Sequence, residues 1–161
     1  MIRYIKIAMI ASVSIFCLAY ALQNIVNLES AHCFVSYTTS MEGHENYPSH
    51  FGPAITSPAL HWVLLWIIIA LEISAGLLAA KGAFDLFRAR NASAEDFQSA
   101  KTYGIAACGV GILVWFGLFS AIGGAYFQMW QTDAGGGALG NATLFSIQLA
   151  LVWLLVSQKD E

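Results

Sequence analysis

The sequence predicts an all-α membrane protein, a bundle of four transmembrane helices, and three observations lead there. The 161 residues are 58% hydrophobic and 11% charged, with a mean hydropathy of +0.64, whereas a soluble domain carries roughly a quarter of its residues as charges. The apolar residues fall into four long runs, 7–28, 59–80, 102–132 and 134–158, and the only Asp, Glu, Lys or Arg inside any of them is Glu72. No run alternates with the period of two that a membrane β-strand needs.

Each run supplies the ~20 predominantly apolar residues that cross ~30 Å of hydrocarbon. The spans are expected near 5–26, 59–81, 102–128 and 140–157, within one domain covering 1–161. The first follows Arg3 and Lys6, and its Ala19-Tyr20-Ala21 imitates a secretory cleavage site. The apolar stretch continues through Leu22, Ile25 and Val26, so an uncleaved spanning helix is expected.

The connection from Asn27 to Pro58 holds all three prolines and three of the four histidines. Pro48, Pro53 and Pro58 forbid one continuous helix there. Phe34, Tyr37, Tyr47 and Phe51 suit a compact cap on the membrane interface, and Pro58 opens the second span as helix starts prefer. Between the second and third spans, Phe84 to Phe97 reads as a helix end leaving the bilayer, with Ser93 as an N-cap ahead of Glu95 and Asp96. The third run is longer than a span requires and is expected to tilt or emerge, Tyr126 to Trp130 forming an aromatic interface segment. Gly135-Gly136-Gly137 reads as a flexible turn before the fourth span. Small residues four apart, Ala70/Ser74 and Ala75/Ala79 on the second span and Ala107/Gly111 and Ser120/Gly124 on the third, are candidate helix contacts.

Every Lys and Arg lies before the first span, between the second and third, or after the fourth. Basic residues are retained on the cytoplasmic side, so both termini are expected inside and the ~30-residue connection of 27–58 in the periplasm.

Chemistry-bearing residues are few. Glu42, His44, Glu45 and His50, with His32 nearby, crowd the outer connection, but His44-Glu45-Asn46-Tyr47-Pro48 lacks the second His of a zinc-protease helix, and solvated loop histidines are expected. Cys17, Cys33 and Cys108 form no C-x-x-C pair. His61 is the only histidine in a span, and Met9 and Met129 lie near opposite ends, so no haem is expected. Glu72 stands near mid-membrane, where an ionised side chain costs ~2.5–3.5 kcal/mol on insertion scales. It is expected to be largely protonated, to face the interior, and to hydrogen-bond Gln148 in preference to Ser14, both about half-way along their helices.

The stretch Ala54-Ile55-Thr56-Ser57-Pro58-Ala59-Leu60-His61-Trp62, then Glu72, then Gly123 to Gln131 with its Trp130-Gln131 pair, resembles the predicted small integral membrane proteins of proteobacteria, a domain of unknown function. The resemblance covers essentially the whole chain and implies a bacterial inner membrane, with no reaction, substrate or cofactor. Ala125 and the Asp133-to-Gly137 segment depart from its pattern.

With soluble segments too small for a catalytic domain, no enzyme activity and no cofactor are expected. The favoured role is an accessory subunit or assembly partner of a larger inner-membrane complex, contacting lipid and a membrane-protein partner or a second copy. A small proton-coupled carrier built on Glu72 is the alternative, and a quinone-linked membrane enzyme the second alternative. The net charge of −3 gives no footprint for nucleic acid.

The orientation has a direct test. In a Cys33→Ser background, His44→Cys is expected to react with an impermeant maleimide in intact cells and Ala92→Cys is not. Labelling at 92 without labelling at 44 inverts the orientation.

Overall fold

The computed structural model describes residues 1–160, all-helical with no strand among them. In chain order come α1 (Ile2–Val26), α2 (Leu28–Thr39), α3 (Pro58–Arg88), α4 (Ala94–Ser99) and α5 (Thr102–Ile112), the last continuing as a π-helical segment, Leu113–Tyr126. A 3₁₀ turn, Met129–Gln131, leads to α6 (Asp133–Ser157). Four helical stretches, Ile2–Val26, Pro58–Arg88, Ala94–Tyr126 and Asp133–Ser157, are long and apolar enough to cross a membrane. The four-span helical architecture read from the sequence holds.

The core is organised around α3. Its buried residues, His61, Leu65, Ile69, Glu72, Ala75, Gly76, Ala79, Gly82 and Leu86, recur every three or four positions and form one stripe. The second half of that stripe is almost without side chains. A Cβ on Gly76 would lie 2.5 Å from Leu18 Cγ of α1, and one on Gly82 would run into the backbone of Gly104 of α5. Small residues permit such close backbone approach, which is what holds membrane helices together where lipid is as apolar as protein. Ala75/Ala79 and Ala107/Gly111 are buried contacts, while Ala70 and Ser74 face outward, with Ser74 Oγ bonded back to the Ala70 carbonyl. α6 is the least embedded span, burying only Gly135, Ala142, Leu149 and Val156.

The structure adds two local features and corrects one expectation. The prolines do keep the outer connection from being one continuous helix, but α2 occupies 28–39 ahead of them. Its Leu28, Ala31 and Val35 pack against Leu65 and Ile69 of α3. Gly135 to Gly137 is not a turn. α6 begins at Asp133, capped by Thr132 Oγ1, which accepts from Gly135 N at 3.1 Å. Gly135 is required there by the close passage of the Met129 carbonyl. The third run winds as a π-helix over Leu113–Tyr126, seen where Phe127 N bonds the Ile122 carbonyl five residues back. Gln128 then takes a left-handed conformation, φ 51°, to turn the chain.

The outer connection reaches the end of the third span through a few contacts, while Tyr47 and Phe51 stay largely exposed. Phe51 stacks edge-on against Tyr126 and Tyr47 against Trp130, and Tyr126 Oη donates to the Pro53 carbonyl. Gln131 clamps Tyr47 at both backbone groups, its Oε1 accepting from Tyr47 N at 2.7 Å and its Nε2 donating to Tyr47 O at 3.3 Å. Phe34 turns into an apolar cleft beneath α2, and the Tyr37 hydroxyl lies beside Gly43.

At the opposite end the basic residues gather. Arg3 donates to the carbonyls of Arg90 and Ala92, and Ser93 caps α4 by accepting from Asp96 N, as its sequence position implies. Lys6 and Lys101 both pair with Asp160, and both donate to the Gln158 carbonyl at 2.7 Å. This knot ties the starts of α1 and α5 to the chain beyond α6.

Burial opposes the charge on Asp160, but hydrogen bonds from Lys101 and Lys6 outweigh it and hold its carboxyl below the ordinary carboxylate range. A carboxyl depressed in the fold stabilises it above the unfolded pKa, and that contribution is lost as pH falls through the folded value. Asp160→Asn is therefore expected to cost about 3–5 kcal/mol at neutral pH by leaving two buried lysines short of a counter-charge. Thermal melting in detergent should show this difference at neutral pH and lose it at pH values well below the ordinary Asp range of ~3.9.

Candidate functional site

The Glu72 carboxyl lies about half-way along α3, at the point where the buried stripe changes from the large residues Leu65 and Ile69 to the small residues Ala75 and Gly76. Below it the helices touch. Above it they are held apart, leaving a cavity of about 270 Å³ lined from α1, α2, α3, the π segment and α6. Glu72 is 2% exposed.

Its hydrogen-bond partner is Asn24 of α1, whose Nδ2 donates to Glu72 Oε2 at 3.0 Å. The expected partners lie elsewhere. Ser14 Oγ donates to the Gly76 carbonyl at 2.9 Å, one turn further along α3, and so serves helix packing. Gln148 is exposed on α6 and lines a separate cleft with Met9, Ser12 and Val13. The physical reason is rotation. α6 turns Ala142 and Leu149 inward, which puts Gln148 on the outer face. Asn24 was missed because it stands near the end of its span, where a polar residue reads as an interface anchor.

The cavity wall is aromatic. Tyr20, Phe34, Trp115, Phe119 and Phe145 line it, with Asn24, Glu72 and Asn141 as its polar residues. Tyr20, Trp115 and Phe145 form a mutual cluster, with ring centroids 5.1–5.9 Å apart, and Phe16 backs them at 4.9–5.1 Å. No Lys, Arg or His lines the cavity, so Glu72 has no counter-charge there among the described residues. Part of this wall is π-helical, Trp115 and Phe119 standing within Leu113–Tyr126. Such winding is uncommon and frequent at functional sites.

The outer histidines fall in two places and not in one cluster. His61 is buried, its Nε2 2.9 Å from the Ile55 carbonyl, and its ring lies 5.9 Å from that of His32, which stacks on Trp62 at 4.1 Å. Burial lowers the His44 imidazole from its ordinary value, and nearby His50 lowers it further. Among the described residues no three His, Cys, Asp or Glu side chains are placed to hold a metal ion. Cys17 and Cys108 are buried free thiols, and Cys33 is an exposed one.

Comparison with known proteins places the chain. Residues 2–159 match the family described as "Predicted small integral membrane protein (DUF2165)", and the chain belongs to it. The family description and the four apolar helices together make it a multi-pass integral membrane protein. No curated protein and no solved structure matches it.

The Asn24–Glu72 contact separates the observed site from the expected one. Asn24→Leu is expected to destabilise the bundle by about 1 kcal/mol, the scale of a hydrogen bond between membrane helices. Gln148→Leu is expected to leave stability unchanged. Unfolding in mixed micelles compares the two, and a cost on Gln148→Leu equal to that of Asn24→Leu would reject this assignment.

Proposed function

We propose that the protein binds a small molecule within the membrane and works as a proton-coupled carrier, with Glu72 as the coupling group. The observation that carries this reading is the cavity itself. An acid at mid-span, fixed through one oxygen by Asn24, opens on about 270 Å³ of space lined from every membrane-crossing stretch. An ionisable residue at membrane depth is retained at a cost, and the usual return is a substrate or proton pathway. Packing alone would favour an apolar residue at this position in α3, because the rest of the stripe is apolar apart from His61.

The proposal assigns no covalent chemistry to the chain. Glu72 holds or releases one proton, Asn24 fixes the carboxyl, and the aromatic wall excludes water. In the same reading the basic end, with Arg3, Lys81, Arg88 and Arg90, faces the cytoplasm of a bacterial inner membrane. The opposite end carries Glu29, Glu42, Glu45 and Asp133 and no Lys or Arg.

An accessory-subunit role is the second reading, favoured by α6. Its Leu144, Ile147, Leu151, Trp153, Leu154 and Leu155 are all exposed, a face that another membrane helix could cover. Lipid suits the same face, so the cavity is the more specific observation.

Proteoliposomes test the leading reading. A pH gradient across vesicles holding the protein is expected to dissipate faster when a transported solute is supplied from a small-molecule library. Glu72→Gln keeps the shape and removes titration, and is expected to abolish this coupling. Full coupling in Glu72→Gln, or no solute-dependent flux alongside a stable heteromeric complex in native membranes, would replace the carrier with the subunit.

A further inference from the structure

We propose that the Glu72 cavity takes a monovalent organic cation bearing apolar substituents, with Glu72 as counter-charge and Tyr20, Trp115 and Phe145 as an aromatic wall beside it. This rests on the reading of the cavity as a small-molecule site and names the class of molecule.

The first argument is the charge inventory. Glu72 is the only cavity-lining residue that can carry a formal charge at neutral pH, and that charge is negative. Its Oε2 is engaged by Asn24, and its Oε1 has no hydrogen-bond partner among the described residues. An anion would meet an acid and no cation. A neutral quinone could take donors from the Tyr20 hydroxyl, the Trp115 indole N–H and Asn141, but it would leave the acid at Glu72 without a role. A cation meets a carboxylate oxygen that nothing else uses.

The second argument is independent of charge. Tyr20, Trp115 and Phe145 come from three different spanning stretches and pack on one another and on Phe16, so they give the cavity one continuous aromatic wall. Aromatic faces attract cations through the ring quadrupole, most strongly when both partners are out of water, and groups of rings are the recurring receptor for quaternary ammonium ions. The volume suits an ammonium group with several short alkyl arms or one aryl arm, and the walls offer apolar contact to those arms.

Neutrality then links the ligand to the proton. With the cation bound, Glu72 and its guest form a neutral pair. With the cation gone, a proton on Glu72 restores neutrality. Leaving the carboxylate bare is the expensive state in a low-dielectric site. Proton and cation therefore exchange one for one at a single oxygen pair, with no bond made or broken except that of the proton. Other titratable groups within electrostatic reach of Glu72 are Cys17 and Tyr20 of α1, with Cys108 of α5 beside Cys17. α2, α6 and the π segment contribute no titratable side chain to the lining.

Equilibrium dialysis on the detergent-solubilised protein tests this with three probes: benzyltrimethylammonium, its neutral carbon isostere neopentylbenzene, and a short-chain dimethoxybenzoquinone. The cation is expected to bind at least tenfold more tightly than either neutral probe. Its affinity is expected to fall about tenfold per pH unit once protons compete for Glu72, as one-for-one exchange requires. Glu72→Gln should abolish cation binding, and Trp115→Leu should weaken it about three- to tenfold. Gln148→Leu should bind as wild type. Each variant is scored only if its melting profile shows a folded bundle, with Tyr20→Leu replacing Trp115→Leu if that variant unfolds. Tighter binding of the quinone or the isostere, indifferent to Glu72→Gln, overturns the cation assignment while leaving a small-molecule site in place. Failure of all three probes to bind, together with no solute-dependent proton flux in vesicles, overturns both.

Discussion

Everything in this bundle leans on one bare stripe of α3. From Ala75 through Gly76 and Ala79 to Gly82 the helix presents almost no side chain, and α1 and α5 close onto its backbone through Leu18 and Gly104. Dispersion falls off steeply with separation, so this contact, and not the long apolar faces, is where helix association gains most. The same stripe carries Leu65 and Ile69 toward the outer end, where α2 packs on them and the cavity opens beside Leu65. A change in side-chain size along one helix face thus yields a tight seam and an open chamber, and Glu72 stands at the boundary.

That boundary explains which parts of the structure were legible in the sequence. Span number needs only run length and composition, and both are unambiguous here. The Ser93 cap and the Pro58 helix start rest on local backbone chemistry, which acts over three or four residues and survives any tertiary context. Helix rotation is different. The usual cue is a contrast between apolar and polar faces, and these spans are apolar nearly all round. Depth alone therefore pointed Glu72 to Gln148, whereas rotation of α6 turns Gln148 outward and that of α1 brings Asn24 inward.

The other departures share a cause. α2 was not anticipated, because prolines at 48, 53 and 58 exclude a single helix through the connection and say nothing of 28–39, where none lies. Its Leu28, Ala31 and Val35 spacing was the available signal. The triple glycine was read for flexibility, yet Gly135 is there for space, with the Met129 carbonyl where a side chain would be. The Gly82–Gly104 contact lies between helices and so leaves no pattern within either one. Gln131, part of the segment on which the family resemblance rests most, proves to be a structural clamp on the Tyr47 backbone.

The π segment has a consequence for the shape of the bundle. A helix whose bonds reach five residues back is wider and advances less per residue than an α-helix. The Leu113–Tyr126 stretch therefore takes up more residues over a given length than an α-helix would. The added width lies on the side of the bundle that walls the chamber, where Trp115 and Phe119 line it. The third helix is in this sense a spacer, its diameter setting part of the room beside Glu72.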